Sequence, residues 1–323
     1  SSAASDVYKR QMWVQHYLAC DDLLIDGITV DSRTANHNND GIDIDGCHNV
    51  RISNCLIDAL DDALVLKSTF NRKCRNVAVT NCILSSHCNA FKMGTESNGG
   101  FENITFSNSV IRNTRLSGIA LEIVDGGTMR NISISNIVMD SLYNPLFIRL
   151  GNRARPYSKG VPKPGVGKVE SISINGIRAT NIGLYQQQGE DGVATDPDWQ
   201  FIPASISGLP DHRPSDIVIK DVIFEFPGGY RSAVDPTKID LNEASYPEFR
   251  CMGILPASAL YVRNVEGLVL SGVVLRVRSQ DVRPCMFFDN VRDLEIMDAS
   301  INGQSLTVDL IGYSNMPENP LKR

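Results

Sequence analysis

A short unit recurs along this chain, with two apolar residues one position apart followed two positions later by Asn, Gly or Asp. Its first apolar residues are Leu23, Val50, Val77, Ile104, Ile132, Ile172, Ile217, Leu268 and Leu294, at steps of 27, 27, 27, 28, 40, 45, 51 and 26 residues. The position four after each reads Gly27, Asn54, Asn81, Asn108, Asn136, Gly176, Asp221, Gly272 and Asp298. These residue types tolerate the left-handed backbone, so one sharp bend is expected in the same place on every coil. Within each unit apolar and polar residues alternate with period two, whereas a helical hairpin would show 3.6, so the units are strands.

A second register runs through Asp40-Gly-Ile-Asp-Ile-Asp45, Asp62-Ala-Leu-Val-Leu-Lys67, Asn89-Ala-Phe-Lys-Met-Gly94, Ser117-Gly-Ile-Ala-Leu-Glu122 and Asn144-Pro-Leu-Phe-Ile-Arg149. Coils with at least two short strands predict an all-β parallel β-helix, its rungs about 4.8 Å apart. The core should contain two stacked columns, Ile42, Leu64, Phe91, Ile119, Leu146 and Ile44, Leu66, Met93, Leu121, Ile148. The longer steps after Ile132 hold insertions at Arg149 to Lys168, Gly183 to Pro214 and Pro227 to Leu255. In a solenoid such insertions collect on one face and shape a binding site. No linker-like stretch divides the chain, and residues 1–323 are read as one domain.

With 42% hydrophobic and 21% charged residues the composition is that of an ordinary globular chain, and no apolar run approaches the ~18 residues of a membrane helix. The net charge of −6 supplies no broad basic surface, so neither nucleic acid nor membrane is expected as a partner. Cysteine follows the period: Cys20, Cys47 and Cys74 lie 27 apart, as do Cys55 and Cys82. Stacked side chains point in parallel and are poorly aimed for a disulfide, so free buried thiols are expected.

Candidate chemistry lies in the second register. There Asp62 stacks on Asp40, and Asp61 immediately precedes it, so three carboxylates converge within about one rung. Like charges held that close repel and raise at least one pKa, which provides a proton donor beside a base. Glycoside hydrolysis needs this pair. Spacing alone also allows a plainer arrangement, in which Asp40 caps a turn and Asp61 and Asp62 form a solvated or calcium-binding corner.

The segments Asn38-Asn39-Asp40-Gly-Ile-Asp-Ile-Asp45, Val50-Arg-Ile-Ser-Asn-Cys55 and Asp61-Asp62-Ala-Leu-Val-Leu-Lys67-Ser68 resemble glycoside hydrolase family 28, the polygalacturonases and their rhamnogalacturonan-cleaving relatives. The likeness extends from about Trp13 to the C-terminus, with Gly94-Thr-Glu-Ser-Asn-Gly-Gly100, Tyr246-Pro-Glu and Leu255-Pro-Ala similar to bacterial members. It implies a right-handed β-helix with Asp61 as general acid, and with Asp40 and Asp62 activating water so that the anomeric carbon is inverted. No metal or cofactor is implied. Family members usually carry further N-terminal coils and a cap, which are expected to be missing here, with residues 1–11 a disordered or spurious tail.

Two departures bear on substrate. The family's Gly-His-Gly element falls on Cys88-Asn89-Ala90, and His87, two residues off, is read as structural. The Arg-Ile-Lys element that grips a galacturonate carboxylate reads Ala120-Leu121-Glu122. Lys92 shares an outward column with Asp43, Val65 and Ala120, and is either a solvated lysine or a replacement carboxylate contact. Arg149 continues the column of Asp45, Lys67, Gly94 and Glu122, as a surface ladder or a substrate contact. Asn89 and Glu122 are further candidates for binding sugar, and Lys67 is expected to pair with Asp45.

The resulting expectation is an inverting glycoside hydrolase acting on galacturonate-containing pectic polysaccharide or oligosaccharide, monomeric, and secreted or periplasmic because pectin is extracellular. Rhamnogalacturonan hydrolysis and exo-galacturonosidase action are variants of it. A polysaccharide lyase or a non-catalytic β-helix that binds glycan are the competing classes.

Overall fold

In the computed structural model, residues 13–33, 38–185 and 198–316 are described, and the expected tail at 1–11 lies outside them. Each complete coil presents three parallel faces, consistent with the expected minimum of two strands; most coils build them from short strands separated by bends, and the middle coils from the continuous strands Phe101–Ile123, Thr128–Leu150 and Lys168–Ile182. The first face stacks Gln15–Leu18, Ile42–Asp45, Leu64–Ser68 and Phe91–Ser97 on the C-terminal ends of the long strands Phe101–Ile123 and Thr128–Leu150. It continues through Ala204–Ser207, Leu260–Arg263, Met286–Asp289 and Ile311–Ser314. Parallel strands joined by crossovers wind right-handed, and the stack is a right-handed parallel β-helix.

The nine bend positions read from the sequence all have φ between +50° and +66°. A second left-handed column precedes each unit: Asp22, Asn49, Asn76, Asn103, Asn131, Ser171, Asp216, Gly267 and Asp293, with φ from +48° to +65°. Its asparagines pass one amide bond per rung, Asn49 to Asp22, Asn76 to Asn49, Asn103 to Asn76 and Asn131 to Asn103, at 2.9–3.0 Å. Such a ladder compensates the cost of placing non-glycine residues in that conformation. The two columns together fix the register of every rung between them.

Both core columns pair in the expected register and are buried. Each fully buried side chain stabilises by roughly 1.5–3 kcal/mol. Phe91 adds a stacking contact with Phe106, ring centres 4.4 Å apart. All eight cysteines are free thiols.

Insertions link Leu150 to Lys168, Ile182 to Ala204 and Gly228 to Leu260, so each adjoins the first face. The middle one is shorter than expected, because Ala204–Ser207 is itself a rung of that face, pairing with Phe147–Arg149. Its serines alternate with Ala204 and Ile206, which made a buried strand read as polar loop.

Candidate active site

Asp40 ends the segment entering Ile42–Asp45, and Asp61 and Asp62 form the bend between Leu56–Ala59 and Leu64–Ser68. The Gly41 amide donates to the Asp62 carbonyl at 2.9 Å, which sets the two acidic residues one rung apart. Glycine is needed between them: a Cβ on Gly41 would lie 2.5 Å from the Ala63 carbonyl oxygen and 2.5 Å from Ile57 Cγ2. The three aspartates line one cavity of about 460 Å³ on the first face, together with Trp13, Lys67, Glu96, Arg155 and Tyr246.

Their surroundings differ. Asp62 is buried; one oxygen faces Lys92 Nζ at 2.9 Å, and the other accepts from the Asn89 backbone N–H and Nδ2, both at 2.8 Å. Burial opposes its ionisation, but Lys92 and Lys67 prevail and hold the carboxyl below its ordinary pKa. Asp40 lies 3.3 Å from Lys67 Nζ, yet burial outweighs that lysine and, with repulsion from Asp62 and Asp61, raises its pKa to about 6. Asp61 has no ion pair among the described residues and accepts from the Asp62 amide at 2.9 Å. Burial and the Asp62 charge push its pKa up. One bend thus holds a carboxyl biased to keep its proton beside a carboxylate biased to lose it.

The model of glycosyl hydrolases family 28 matches residues 6–202, more than half of the chain. This chain belongs to glycosyl hydrolases family 28. Among solved structures, the family 28 chain is similar to the hyperthermoactive exopolygalacturonase of Thermotoga maritima, at 24% identity and a TM-score of 0.51 over 67% of this chain and 45% of that one. It is also similar to the family 28 exopolygalacturonase of Yersinia enterocolitica, at 14% identity and a TM-score of 0.56 over 87% and 43%. These likenesses show a shared fold, and the chain spans less than half the length of either protein. No curated protein sequence matches it.

In this family 28 chain the other expected site residues do not line the cavity. Asn89 is buried: it donates to Asp62, and its Oδ1 accepts from the Ser117 amide at 3.0 Å, so it positions Asp62. Lys92 occupies the expected column between Val65 and Ala120, but it is buried and committed to Asp62, and thus is no solvated lysine. Glu122 is fully buried; Thr95 Oγ1 donates to it at 3.1 Å, Lys92 Nζ is 3.9 Å away, and burial raises its pKa to about 8. It is not on the cavity wall. Arg149 is also buried, and is no surface ladder: Nη1 donates to Ser207 Oγ at 3.1 Å and Nη2 to the Leu241 carbonyl, pinning the last insertion. His87 packs edge-on against Tyr185 and is absent from the cavity wall.

The expected Lys67–Asp45 pair does not form. Although they are register partners, Lys67 reaches along the face to Asp40, Asp43 at 3.4 Å and Glu96 at 3.7 Å. Asp45 accepts instead from the Thr69 amide at 2.9 Å and hydroxyl at 2.7 Å, and faces His16 at 3.2 Å. Lys67 also lies over the Trp13 ring, 4.9 Å from its centre.

Several wall residues were not singled out from sequence. Glu96 and Tyr246 stood in stretches noted only for their bacterial likeness, whereas Asp125, Arg155 and Tyr157 carried no periodic signal. Oxygens of Asp61 and Asp62 and the Cys88 sulfur lie within 4.8 Å of one another. The set suits a metal poorly: burial keeps the Cys88 thiol protonated, and both Asp62 oxygens are already engaged. Among the described residues no helix is long and apolar enough to cross a membrane.

Proposed function

We propose that this single-domain, monomeric chain hydrolyses α-glycosidic bonds in galacturonate-containing pectic polysaccharide or oligosaccharide, with inversion. Asp61 gives its proton to the glycosidic oxygen as the bond to the anomeric carbon breaks. Water attacks that carbon from the opposite side, and its proton passes to Asp62 or Asp40. The observation that carries this reading is the contrast within one cavity wall: Asp62 faces Lys92 Nζ at 2.9 Å and is held below its ordinary pKa, while Asp61, without an ion pair among the described residues, is pushed above its own by burial and the Asp62 charge. The buried Lys92 and the Ala120-Leu121-Glu122 sequence leave no carboxylate grip where polygalacturonases carry theirs. That supports a linkage or subsite unlike plain homogalacturonan. Exo action is the second reading, favoured because both structural neighbours are named exopolygalacturonases. A pectic substrate places the working compartment outside the cytoplasm, secreted or periplasmic.

Homogalacturonan and rhamnogalacturonan digested side by side should show new reducing ends, with rhamnogalacturonan or chain ends preferred. Asp61→Asn should slow turnover about 10²- to 10⁴-fold, the usual contribution of a general acid. Products absorbing in the ultraviolet through a new double bond would establish a lyase, and equal rates on internal homogalacturonan linkages would remove the substrate half.

A further inference from the structure

The cavity wall carries the acids Asp40, Asp61, Asp62, Glu96 and Asp125, and an acidic sugar can enter only if a cation is free to meet it. Most nearby cations are committed. Lys67 serves Asp40, Asp43 and Glu96, and Lys92 serves Asp62. Arg153 clasps Asp125 and lies 3.5 Å from Glu96. Arg155 lines the same cavity, is exposed, and has no anionic partner among the described residues.

Its backbone is held firmly although its side chain is exposed. Asp125, fully buried, accepts from the Arg155 amide at 2.9 Å and from Arg153 Nε at 3.0 Å. The neighbouring Ala154 amide donates to the Val124 carbonyl at 2.9 Å, and Pro156 restricts Arg155 to an extended backbone. A guanidinium on so constrained a loop forfeits little backbone entropy on meeting a ligand, and its planar fork matches a carboxylate.

Resting on the hydrolase reading above, we infer that Arg155 is the specificity-determining residue that binds the carboxylate of a uronic acid sugar beside Asp40, Asp61 and Asp62. It replaces, from an insertion, the cations lost from the rung at Ala120-Leu121-Glu122. The test is binding of an oligogalacturonide, and of the same oligosaccharide with its carboxyls reduced to alcohols, to the full chain carrying Asp61→Asn, with and without Arg155→Gln. Affinity for the acidic form should fall about tenfold to a hundredfold on Arg155→Gln, its preference over the reduced form should vanish, and Arg155→Lys should restore part of it. Unchanged affinity, or equal loss for both sugars, would overturn the inference. Turnover by the unmutated chain is scored separately: absence of new reducing ends sinks the hydrolase reading, while the affinity difference still decides Arg155.

Discussion

Glu122→Gln tests how the protein keeps charge buried beneath its acidic cleft. The carboxyl is fully buried, accepts from Thr95, and has one oxygen, Oε1, without a hydrogen-bond partner among the described residues. Burial raises its pKa from 4.5 to about 8, against the attraction of Lys92 and reinforced by repulsion from Asp62 and Glu248. Between those values the native chain keeps a proton that the unfolded chain releases. The stabilisation is therefore complete below about pH 4.5 and is lost as pH climbs through 8. At about 1.4 kcal/mol per pH unit, the displacement from 4.5 to about 8 amounts to at most about 5 kcal/mol. Glutamine keeps the shape and cannot ionise. Urea unfolding followed by far-ultraviolet circular dichroism, from about pH 5 to about pH 8, should show wild-type stability declining with pH by several kcal/mol more than that of the variant. Parallel curves would refute the claim that Glu122 is neutral in the native chain.

Two further outcomes follow from the same contacts. Lys92→Met leaves Asp62 buried without its counter-charge, so we expect a loss of about 3–5 kcal/mol in unfolding measurements and, in surviving enzyme, an acid limb of the pH–rate profile moved to higher pH. Gly41→Ala forces a methyl group onto the Ala63 carbonyl, 2.5 Å away, and should cost about 1–3 kcal/mol in thermal melts while lowering turnover through the displaced Asp40.

The fold was legible because a β-helix writes its register into the chain. Gly27, Asn54, Asn81 and their six counterparts mark a bend that only a few residue types accept, and each of them adopts it. The convergence of Asp40 with Asp61 and Asp62 was legible for the same reason, since strand pairing converts a sequence offset into a distance. The column from Asp22 to Asp293 was equally present in the sequence but went unread, because Ser171, Asp216 and Gly267 dilute its asparagines. Arg149 and Glu122 were placed on the correct column and given the wrong surroundings. Periodicity reports which way a side chain leaves its strand and is silent about which insertion folds over it. Arg155 lay beyond such reasoning altogether, since the segment between Leu150 and Lys168 has no period to extrapolate.

The rungs and the insertions therefore divide the work. Strand register can bring carboxylates together, but identical rungs cannot make neighbouring carboxylates behave differently. That asymmetry comes from which acid a lysine can reach and from what covers the lysine. Tyr246, carried on the last insertion, places its hydroxyl 3.4 Å from Lys92 Nζ, and its ring centre lies 5.4 Å from the same nitrogen. Burial of Lys92 strengthens its attraction to Asp62, the acid it contacts, whereas Asp61 forms no ion pair among the described residues and is raised by burial and by the Asp62 charge. A loop contributed 154 residues after Lys92 thus adds to the contrast between two adjacent aspartates that strand register alone would leave alike.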